Sequence, residues 1–260
     1  MQHDTHSGST PSSARQTVTA CPVCGSESMT TLFHKNDFPI CQCPECRFLT
    51  VGAYPTPQEI AKHYAENYRG ATAEYYPKDR SRRWRAFWRA ARLAPWTLGK
   101  DVIDIGCGGG HMAQALSRFS RSVCGVDISE NSLAFALEHF RKPKFHLMSL
   151  ETLAQSGMTF DFVFSSEVLE HLPGPHAFMT ALAAITRPSG IVHITAPEYD
   201  HACTPPDIST WQDICPPEHL QWFSEENLRL LFEQYGFRQI LKEKTGSPAH
   251  SVFFQKTKHV

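Results

Sequence analysis

The sequence lacks the features that would assign it to several common classes of protein. No run of about 18 apolar residues occurs in it, so we expect no membrane-spanning helix. The N-terminal residues MQHDTHSGSTPSSARQ contain no apolar stretch of the kind that a secretory signal needs. Neither sign of charge is in excess, since 25 Lys and Arg oppose 26 Asp and Glu and the net charge is −1. We therefore expect a cytoplasmic protein whose partner is neither a membrane nor a nucleic acid.

The composition is that of a globular protein with room for one ordinary domain and a small accessory unit. Of the 260 residues, 41% are hydrophobic and 20% are charged. Residues 1–19 are rich in Ser and Thr and predict a disordered leader. Residues 20–52 carry five cysteines but few apolar side chains, 53–98 follow a helical and aromatic pattern, and 99–260 alternate strands with helices.

Nine cysteines in a chain expected in a reducing compartment favour metal ligation over disulfides. Four of them form two CxxC pairs, Cys21-Pro-Val-Cys24 and Cys43-Pro-Glu-Cys46. The pairs are separated by 18 residues, a spacing typical of a structural zinc site with four thiolates. Cys41 is an alternative to Cys43, and redox chemistry at a CxxC pair is the alternative to zinc. We predict an N-terminal zinc ribbon bound through Cys21, Cys24, Cys43 and Cys46.

The remainder of the chain alternates short apolar runs with helical patterns. The strand candidates are 101–105, 122–126, 144–147, 160–165 and 191–195, and a closing hairpin is expected at about 237–243 and 250–256. A last helix begins after Ser224, a good N-cap, and stops at Gly236. This order predicts an α/β, Rossmann-like sheet of seven strands, mostly parallel, with an antiparallel hairpin at its C-terminal end.

The strongest local signal is VIDIGCGGG, residues 102–110, in which an apolar strand ends in a glycine-rich turn before a helix. Glycines permit a sharp turn and the close approach of a ligand, and the helix N-terminus offers free N–H groups. The next strand ends in Asp127, where a carboxylate can accept hydrogen bonds from ribose. Together, the glycine-rich turn and Asp127 predict a cofactor that contains a nucleoside. Gly108, Gly110 and Ala113 also satisfy a loose dinucleotide fingerprint, which leaves a nicotinamide cofactor as an alternative.

The D-x-G-x-G pattern of Asp104, Gly106 and Gly108 resembles the first motif of class I S-adenosylmethionine-dependent methyltransferases. The resemblance continues through FDFVFSSEVLEHL at 160–172, RPSGIVHITAP at 187–197 and PEHLQWFSEENLRLLFEQYGF at 217–237. These segments are similar to the fourth strand, the fifth strand and the closing helix of the ubiquinone-biosynthesis-type O-methyltransferases. About 160 of the 260 residues are covered. The resemblance implies the class I methyltransferase sheet and S-adenosylmethionine as cofactor.

The resemblance also implies a set of cofactor-binding residues. Asp104 and the glycine loop would surround the methionine moiety, Asp127 would hold the ribose, and the segment after the third strand would hold the adenine. In that segment Ser149 replaces the usual acidic residue, so we expect altered adenine contacts; the alternative is that this segment is only a strand end and a short helix. The implied set is Asp104, Gly106, Cys107, Gly108, Gly110, Asp127, Ile128, Ser149, Leu150, Glu167 and Tyr68.

The segment before the sheet is aromatic and then basic. Its tyrosines, Tyr64, Tyr68, Tyr75 and Tyr76, resemble a lid over the sulfonium, although packing of a helix on the sheet explains them equally well. The arginines that follow, from Arg80 to Arg92, alternate with Trp84, Phe87, Trp88 and Ala91. The spacing predicts a buried aromatic stripe with solvated arginines. A nucleic-acid patch or a site for an acidic or phosphorylated substrate are the functional alternatives.

Candidate catalytic groups follow the fourth and fifth strands, because ligands of such sheets bind at the carboxyl ends of the strands. Glu167, Glu170 and His171 follow one strand and Glu198 the other. We predict substrate recognition in the long 197–223 segment, which contains His201, Cys203, Asp207, Trp211, Cys215, His219, Trp222 and Phe223. His219 is our first candidate for a general base, with His171 second and Glu167 as a further catalytic candidate. A second metal site made by His201, Cys203, Cys215 and His219 is an alternative use of the segment.

The function predicted from the sequence is methyl transfer from S-adenosylmethionine to a small-molecule acceptor, most plausibly to an oxygen in secondary or cofactor metabolism. The tetrapeptide NPPY, typical of enzymes that methylate base amino groups, is replaced here by SSEV. One alternative is an RNA or protein methyltransferase that docks through the ribbon and the arginine-rich helix. The other is an S-adenosylmethionine-binding protein without catalytic activity.

Overall fold

The structure is a computed structural model that describes residues 14–67 and 79–257. Its N-terminal elements are five short strands followed by two helices. They are β1 (Gln16–Thr17), β2 (Thr30–Lys35), β3 (Phe38–Gln42), β4 (Leu49–Val51), β5 (Ala53–Tyr54), α1 (Pro57–Asn67) and α2 (Asp79–Thr97).

Strands and helices alternate in the remainder of the chain. The elements are β6 (Asp101–Ile105), α3 (His111–Leu116), β7 (Ser122–Asp127), α4 (Glu130–His139), β8 (Lys144–Leu147), α5 (Leu150–Gln155), β9 (Phe160–Ser166), α6 (His176–Ile185), β10 (Thr186–Thr195), β11 (Gln221–Trp222), α7 (Glu225–Gln234), β12 (Phe237–Lys242) and β13 (Val252–Lys256). Short 3₁₀ turns lie at Leu169–His171 and Ile208–Thr210. No helix in the described ranges combines the length and apolar character needed to cross a membrane.

Seven strands form the main sheet in the order β12-β13-β10-β9-β6-β7-β8. β6, β7, β8, β9 and β10 run parallel, whereas β13 is antiparallel to β10 and to β12. The inner strands are buried almost throughout, as expected for parallel strands covered by helices on both faces. The predicted seven-stranded sheet with its antiparallel hairpin is confirmed.

The closing helix α7 follows directly from its sequence. Ser224 accepts a hydrogen bond from the Asn227 N–H, and the Asn227 side chain accepts one from the Ser224 N–H, which makes a reciprocal capping box. The apolar face carries Leu228, Leu231 and Phe232, all fully buried, and packs against the sheet.

A second sheet joins the N-terminal module to the 197–223 segment. Its order is β11-β4-β3-β2, and β11 comes from that segment: Gln221 pairs with Thr50 and Trp222 with Leu49. The segment also supplies five of the nine buried residues in the hydrophobic cluster at this sheet, which contains Phe38, Ile40, Leu49, Val51, Tyr199, Trp211, Ile214, Leu220 and Trp222. The module, which has too few apolar residues for a core of its own, thus completes its core with side chains from the C-terminal part of the chain.

The predicted leader is wrong for residues 14–19. Gln16 and Thr17 form β1 and pair with Tyr54 and Ala53 of β5. Arg15 donates two hydrogen bonds to Glu59, at 2.8 and 2.7 Å, so this strand is also tied to α1. The polar composition had indicated disorder, but pairing needs only backbone groups. Residues 1–13 lie outside the described residues.

Candidate functional site

The glycine-rich turn lies at the carboxyl end of β6, in the centre of the sheet. Gly106, Gly108 and Gly110 all have positive φ, at 68°, 51° and 75°, which favours glycine at each position. A Cβ on Gly110 would lie 2.7 Å from the Phe145 ring and 2.9 Å from the Cβ of Ala136. The turn is therefore shaped both by its backbone angles and by close packing against α4 and β8.

Asp127, at the end of β7, holds this turn in place. Its two carboxylate oxygens accept hydrogen bonds from the Gly108 N–H at 2.7 Å and from the Ser129 N–H at 2.8 Å. A carboxylate has about four lone-pair positions, so two remain for ribose hydroxyls. Ile128, next along the chain, is 78% exposed, which leaves an apolar surface beside the carboxylate. Cys107 is buried in the turn and packs with α4.

Asp104 lies beneath the turn and is almost fully buried. No group in the described part of the chain donates a hydrogen bond to its Oδ2 atom. Burial raises the pKa of Asp104 to about 7, and the positive charge of Arg89 acts in the opposite direction. A buried carboxylate oxygen without a donor is unusual in a folded protein and indicates a place where a ligand donor fits.

The candidate adenine segment is a helix start. The Ser149 side chain accepts a hydrogen bond from the Thr152 N–H and caps α5, while Leu150 is buried in the main core. The predicted role of Ser149 toward adenine stays a prediction, as does the role of Leu150. Tyr68, Tyr75 and Tyr76 lie outside the described residues, and so does the Tyr64 side chain.

A cavity of about 750 Å³ opens beside the turn, between α2, the carboxyl ends of β9 and β10, and the segment 243–251. Arg89 lies at its floor, where it donates hydrogen bonds to Ser166 Oγ at 3.3 Å and to Thr195 Oγ1 at 3.2 Å. Glu167 lines the cavity with a positive φ of 56°. Thr195 Oγ1 donates a 3.4 Å hydrogen bond to Glu167 Oε1. Charged side chains at the rim are Arg85, Arg92, Glu243 and Lys244.

The predicted aromatic stripe of α2 is wrong in its orientation. Trp84 is 64% exposed and Trp88 is 52% exposed, and both line the cavity. The buried face of α2 instead carries Ala90, Leu93 and Thr97, which are at helical spacing. Small side chains on that face allow the close packing of α2 on α3, so the large rings are displaced to the cavity side. The sequence could not show that Arg89 lies in the site, because it is one of six arginines in the same run.

The aromatic residues of the 197–223 segment are buried and have a packing role, while substrate recognition by the segment stays a prediction. Trp211 and Trp222 lie in the hydrophobic cluster of the N-terminal module, and Phe223 contacts Phe48 at a ring-centroid distance of 5.1 Å. None of the residues from 197 to 223 lines the large cavity. Glu198, placed near the site by the sequence, is buried and forms an ion pair of 2.6 Å with Lys242.

His171 and His219 lie together, with ring centroids 4.8 Å apart. Each imidazole donates its Nδ1 hydrogen to a backbone carbonyl, His171 to Glu218 at 2.7 Å and His219 to Asp213 at 2.9 Å. Burial lowers the pKa of both imidazoles. Among the described residues His219 clusters with Glu170 and His171, which corrects the alternative metal set of His201, Cys203, Cys215 and His219. Their predicted role as general bases stays a prediction.

The four predicted cysteines meet in one cluster. Cys21 Sγ lies 3.5 Å from Cys46 Sγ, and Cys24 Sγ lies 3.5 Å from Cys43 Sγ. All four sulfurs lie within 4.8 Å of one another, and none forms a disulfide. Cys41 is not in the cluster; it lies on β3, 3.4 Å from Thr31 Oγ1. The choice of Cys43 over Cys41 is therefore the one that the fold supports.

Comparison with known proteins identifies the family to which this fold and turn belong. Residues 74–242 match the family of methyltransferase domains, and the chain belongs to that family. A ubiquinone biosynthesis O-methyltransferase of Rhizobium etli is 36% identical over 112 residues, which are 42% of this chain and 45% of that protein. One from Coxiella burnetii is 31% identical over 152 residues, 51% of this chain and 65% of that protein. The chain thus matches less than two thirds of these relatives. The predicted membership of the methyltransferase family is confirmed.

Solved structures share the fold at low sequence identity. The magnesium protoporphyrin IX methyltransferase of Synechocystis, with bound S-adenosylhomocysteine, superposes with a TM-score of 0.56 at 18% identity, over 77% of this chain and 100% of that one. An S-adenosylmethionine-dependent methyltransferase from Mesorhizobium loti has a TM-score of 0.55 at 16% identity, over 66% and 98%. The sheet is therefore that of known methyltransferases.

Proposed function

We propose that this protein transfers a methyl group from S-adenosylmethionine to an oxygen of a small-molecule acceptor. The observation that carries the proposal is the adjacency of two features at one edge of the sheet. The first is the glycine turn held by Asp127, and the second is the large cavity that begins at Ser166 and Glu167. The likeness to O-methyltransferases of ubiquinone biosynthesis favours oxygen as the accepting atom.

The residues at the turn fit this cofactor. Asp127 retains lone pairs for the ribose hydroxyls, and the exposed Ile128 offers an apolar surface to a base. The free Oδ2 of Asp104 suits a donor from the positively charged methionine end. When bound, S-adenosylmethionine supplies an electrophilic methyl group on a sulfonium.

The acceptor would bind in the cavity, where the residues of β9 and β10 meet α2. Methyl transfer forms a bond between the acceptor oxygen and the methyl carbon as the carbon–sulfur bond breaks, and the hydroxyl proton must leave. Glu167 is the proton acceptor that we propose, because its carboxylate lines the cavity at the end of β9. Trp84 and Trp88 cover the same space and would exclude water from it.

The charges around the cavity favour an acceptor with an acidic group. Arg85, Arg89, Arg92 and Lys244 line it against two carboxylates, Glu167 and Glu243, and Arg92 pairs with Glu243 at 3.1 Å. Arg85 and Lys244 remain to bind a carboxylate or phosphate of the acceptor. An acidic phenol would satisfy this site through its acid group at the rim and its hydroxyl at Glu167.

The cysteine cluster is the proposed site of a structural zinc ion. A zinc ion with bonds of about 2.3 Å to four thiolates needs the sulfurs at about 3.8 Å from one another, close to the 3.5 Å separations seen here. Cys21, Cys24, Cys43 and Cys46 would hold it. The ion would then fix the two knuckles against α7, where Asn227 donates a hydrogen bond of 2.6 Å to the Cys46 carbonyl.

Transfer of a labelled methyl group to a panel of phenolic acids tests this function. We expect labelled product with at least one acidic phenol and none with RNA. Glu167→Gln should lower kcat about 10²- to 10⁴-fold, because the proton acceptor is lost. Glu138→Gln, an exposed carboxylate on α4, should retain full activity. Transfer to RNA that falls steeply with salt would overturn the proposal in favour of a nucleic-acid substrate.

A further inference from the structure

A second potential metal site lies outside both the cysteine cluster and the large cavity. Glu170 and His171 occupy the 3₁₀ turn after β9, and His219 comes from the 197–223 segment. One atom from each side chain lies within 4.8 Å of the others. His219 lies 48 positions beyond His171 in the sequence, so the fold itself brings the third side chain to the other two.

Among the described residues, no group donates a hydrogen bond to the carboxylate of Glu170. The residue is 0% exposed, and neither Oε1 nor Oε2 has a hydrogen-bond partner. A buried carboxylate without a partner costs more free energy than a buried neutral polar group without one. Native proteins therefore provide such a carboxylate with a hydrogen-bond donor or a cation. His171 Nε2 lies 4.0 Å from Glu170 Oε1, too far for a hydrogen bond, and the carboxylate of Glu167 is a second neighbour, so a cation here would offset two negative charges.

Both imidazoles are oriented as metal ligands are. Each donates its Nδ1 hydrogen to a backbone carbonyl, which fixes the tautomer and leaves the lone pair on Nε2. A ligating histidine almost always has its other nitrogen bound in this way, to a carbonyl or a carboxylate. Two such imidazoles and an unpaired carboxylate are a complete set of three protein ligands.

We propose that Glu170, His171 and His219 bind a divalent transition cation of the zinc type. Bonds of about 2.0–2.2 Å would require the ligand atoms to approach to about 3.5 Å, a closure of about one ångström from the present separations. With three protein ligands, a coordination position stays open for water or an exogenous oxygen.

The ion would join the turn after β9 to the 197–223 segment. The backbone already connects them, since the Leu220 N–H donates a 2.8 Å hydrogen bond to the Glu170 carbonyl. The site adjoins Glu167, three residues earlier, and thereby supports the wall of the large cavity. An ion bound to both Nε2 atoms would occupy the lone pairs that a general base needs, so His171 and His219 would not accept the proton of the acceptor.

Metal content of the full-length protein tests the proposal without reference to activity. The purified chain is equilibrated with zinc, desalted and analysed for bound metal. We expect two zinc ions per chain for the wild type, one for the cysteine cluster and one for this site. Glu170→Gln and His219→Gln should each bind one, whereas Glu138→Gln, a surface carboxylate, should still bind two.

Thermal unfolding distinguishes loss of the ligand from loss of the fold. Because Gln replaces a buried carboxylate that lacks a partner, metal-free Glu170→Gln should melt no lower than the metal-free wild type. Excess zinc should then raise the melting temperature of the wild type more than that of the variant. Equal zinc content in wild type and Glu170→Gln, or one ion per wild-type chain with an intact cysteine cluster, would overturn the proposal.

Discussion

At the scale of single residues, Asp104 gives the clearest consequence of burial. Its pKa is raised to about 7 because the side chain is desolvated. An unfolded chain releases this proton near pH 4, whereas the folded chain retains it to about pH 7. The contribution of Asp104 to stability is therefore present at low pH and is lost as the pH rises from about 4 to about 7.

Asp104→Asn isolates this effect, because the amide keeps the shape and does not ionise. The free energy of unfolding of the variant, minus that of the wild type, should rise by up to about 4 kcal/mol as the pH increases through this window. Urea unfolding of the cofactor-free protein at several pH values between 4 and 8 measures the difference. A difference that is flat or falls with pH would show that Arg89 keeps the carboxylate ionised throughout.

Residues whose role follows from the backbone were the ones that the sequence predicted well. The glycines of the turn are determined by positive φ, and Ser224 by the unpaired N–H groups of a helix start. Glu170 was placed near the site, but its lack of a partner is a property of the folded interior. The pairing of His171 with His219 could not be predicted, because 48 positions separate them.

At the scale of elements, the strand candidates 101–105 and 144–147 agree with β6 and β8 at both ends. The candidate at 191–195 is extended by the structure back to Thr186, because a register shift lets the Pro-Ser-Gly stretch enter the strand. Helix α2 was predicted as an element, but its orientation was not. Periodicity shows which residues share a face and cannot show whether that face meets a core or a cavity.

The joint sheet of β2, β3, β4 and β11 predicts that the cysteine cluster stabilises more than its own module. Cys24→Ser, which removes one proposed zinc ligand, should raise amide hydrogen exchange in β3 and β4 and also in β11. Strands β6 and β9 should stay better protected, because their backbone hydrogen bonds lie inside the seven-stranded sheet, even though Ile103 and Val163 share a hydrophobic cluster with Cys21 and Cys43. Zinc binding is worth about 10–16 kcal/mol in small modules, so the loss should be large.

Cys203→Ser provides the matched control for that experiment, since Cys203 is exposed and lies outside the cluster. Its exchange pattern should equal that of the wild type. Faster exchange confined to β3 and β4, with β11 unaffected, would show that the 197–223 segment holds its place without the module.

At the scale of the whole molecule, the chain is a methyltransferase domain whose N-terminal cysteine module and 197–223 segment form one structural unit. The segment packs its tryptophans into the module and presents His219 to the turn after β9. The large cavity lies elsewhere, beneath α2 and the 243–251 segment. In the proposed function α2 contacts the acceptor, whereas the sequence predicts only a basic helix with a buried stripe.

Binding of S-adenosylhomocysteine to the wild type and to Asp127→Ala, measured by calorimetry, tests the central claim most directly. Asp127 both holds the Gly108 N–H and faces the proposed ribose site, so the account predicts binding to the wild type and loss of detectable binding in the variant. Glu138→Ala should bind as the wild type does. Retained affinity in Asp127→Ala, or binding of NAD in place of S-adenosylhomocysteine, would contradict the account.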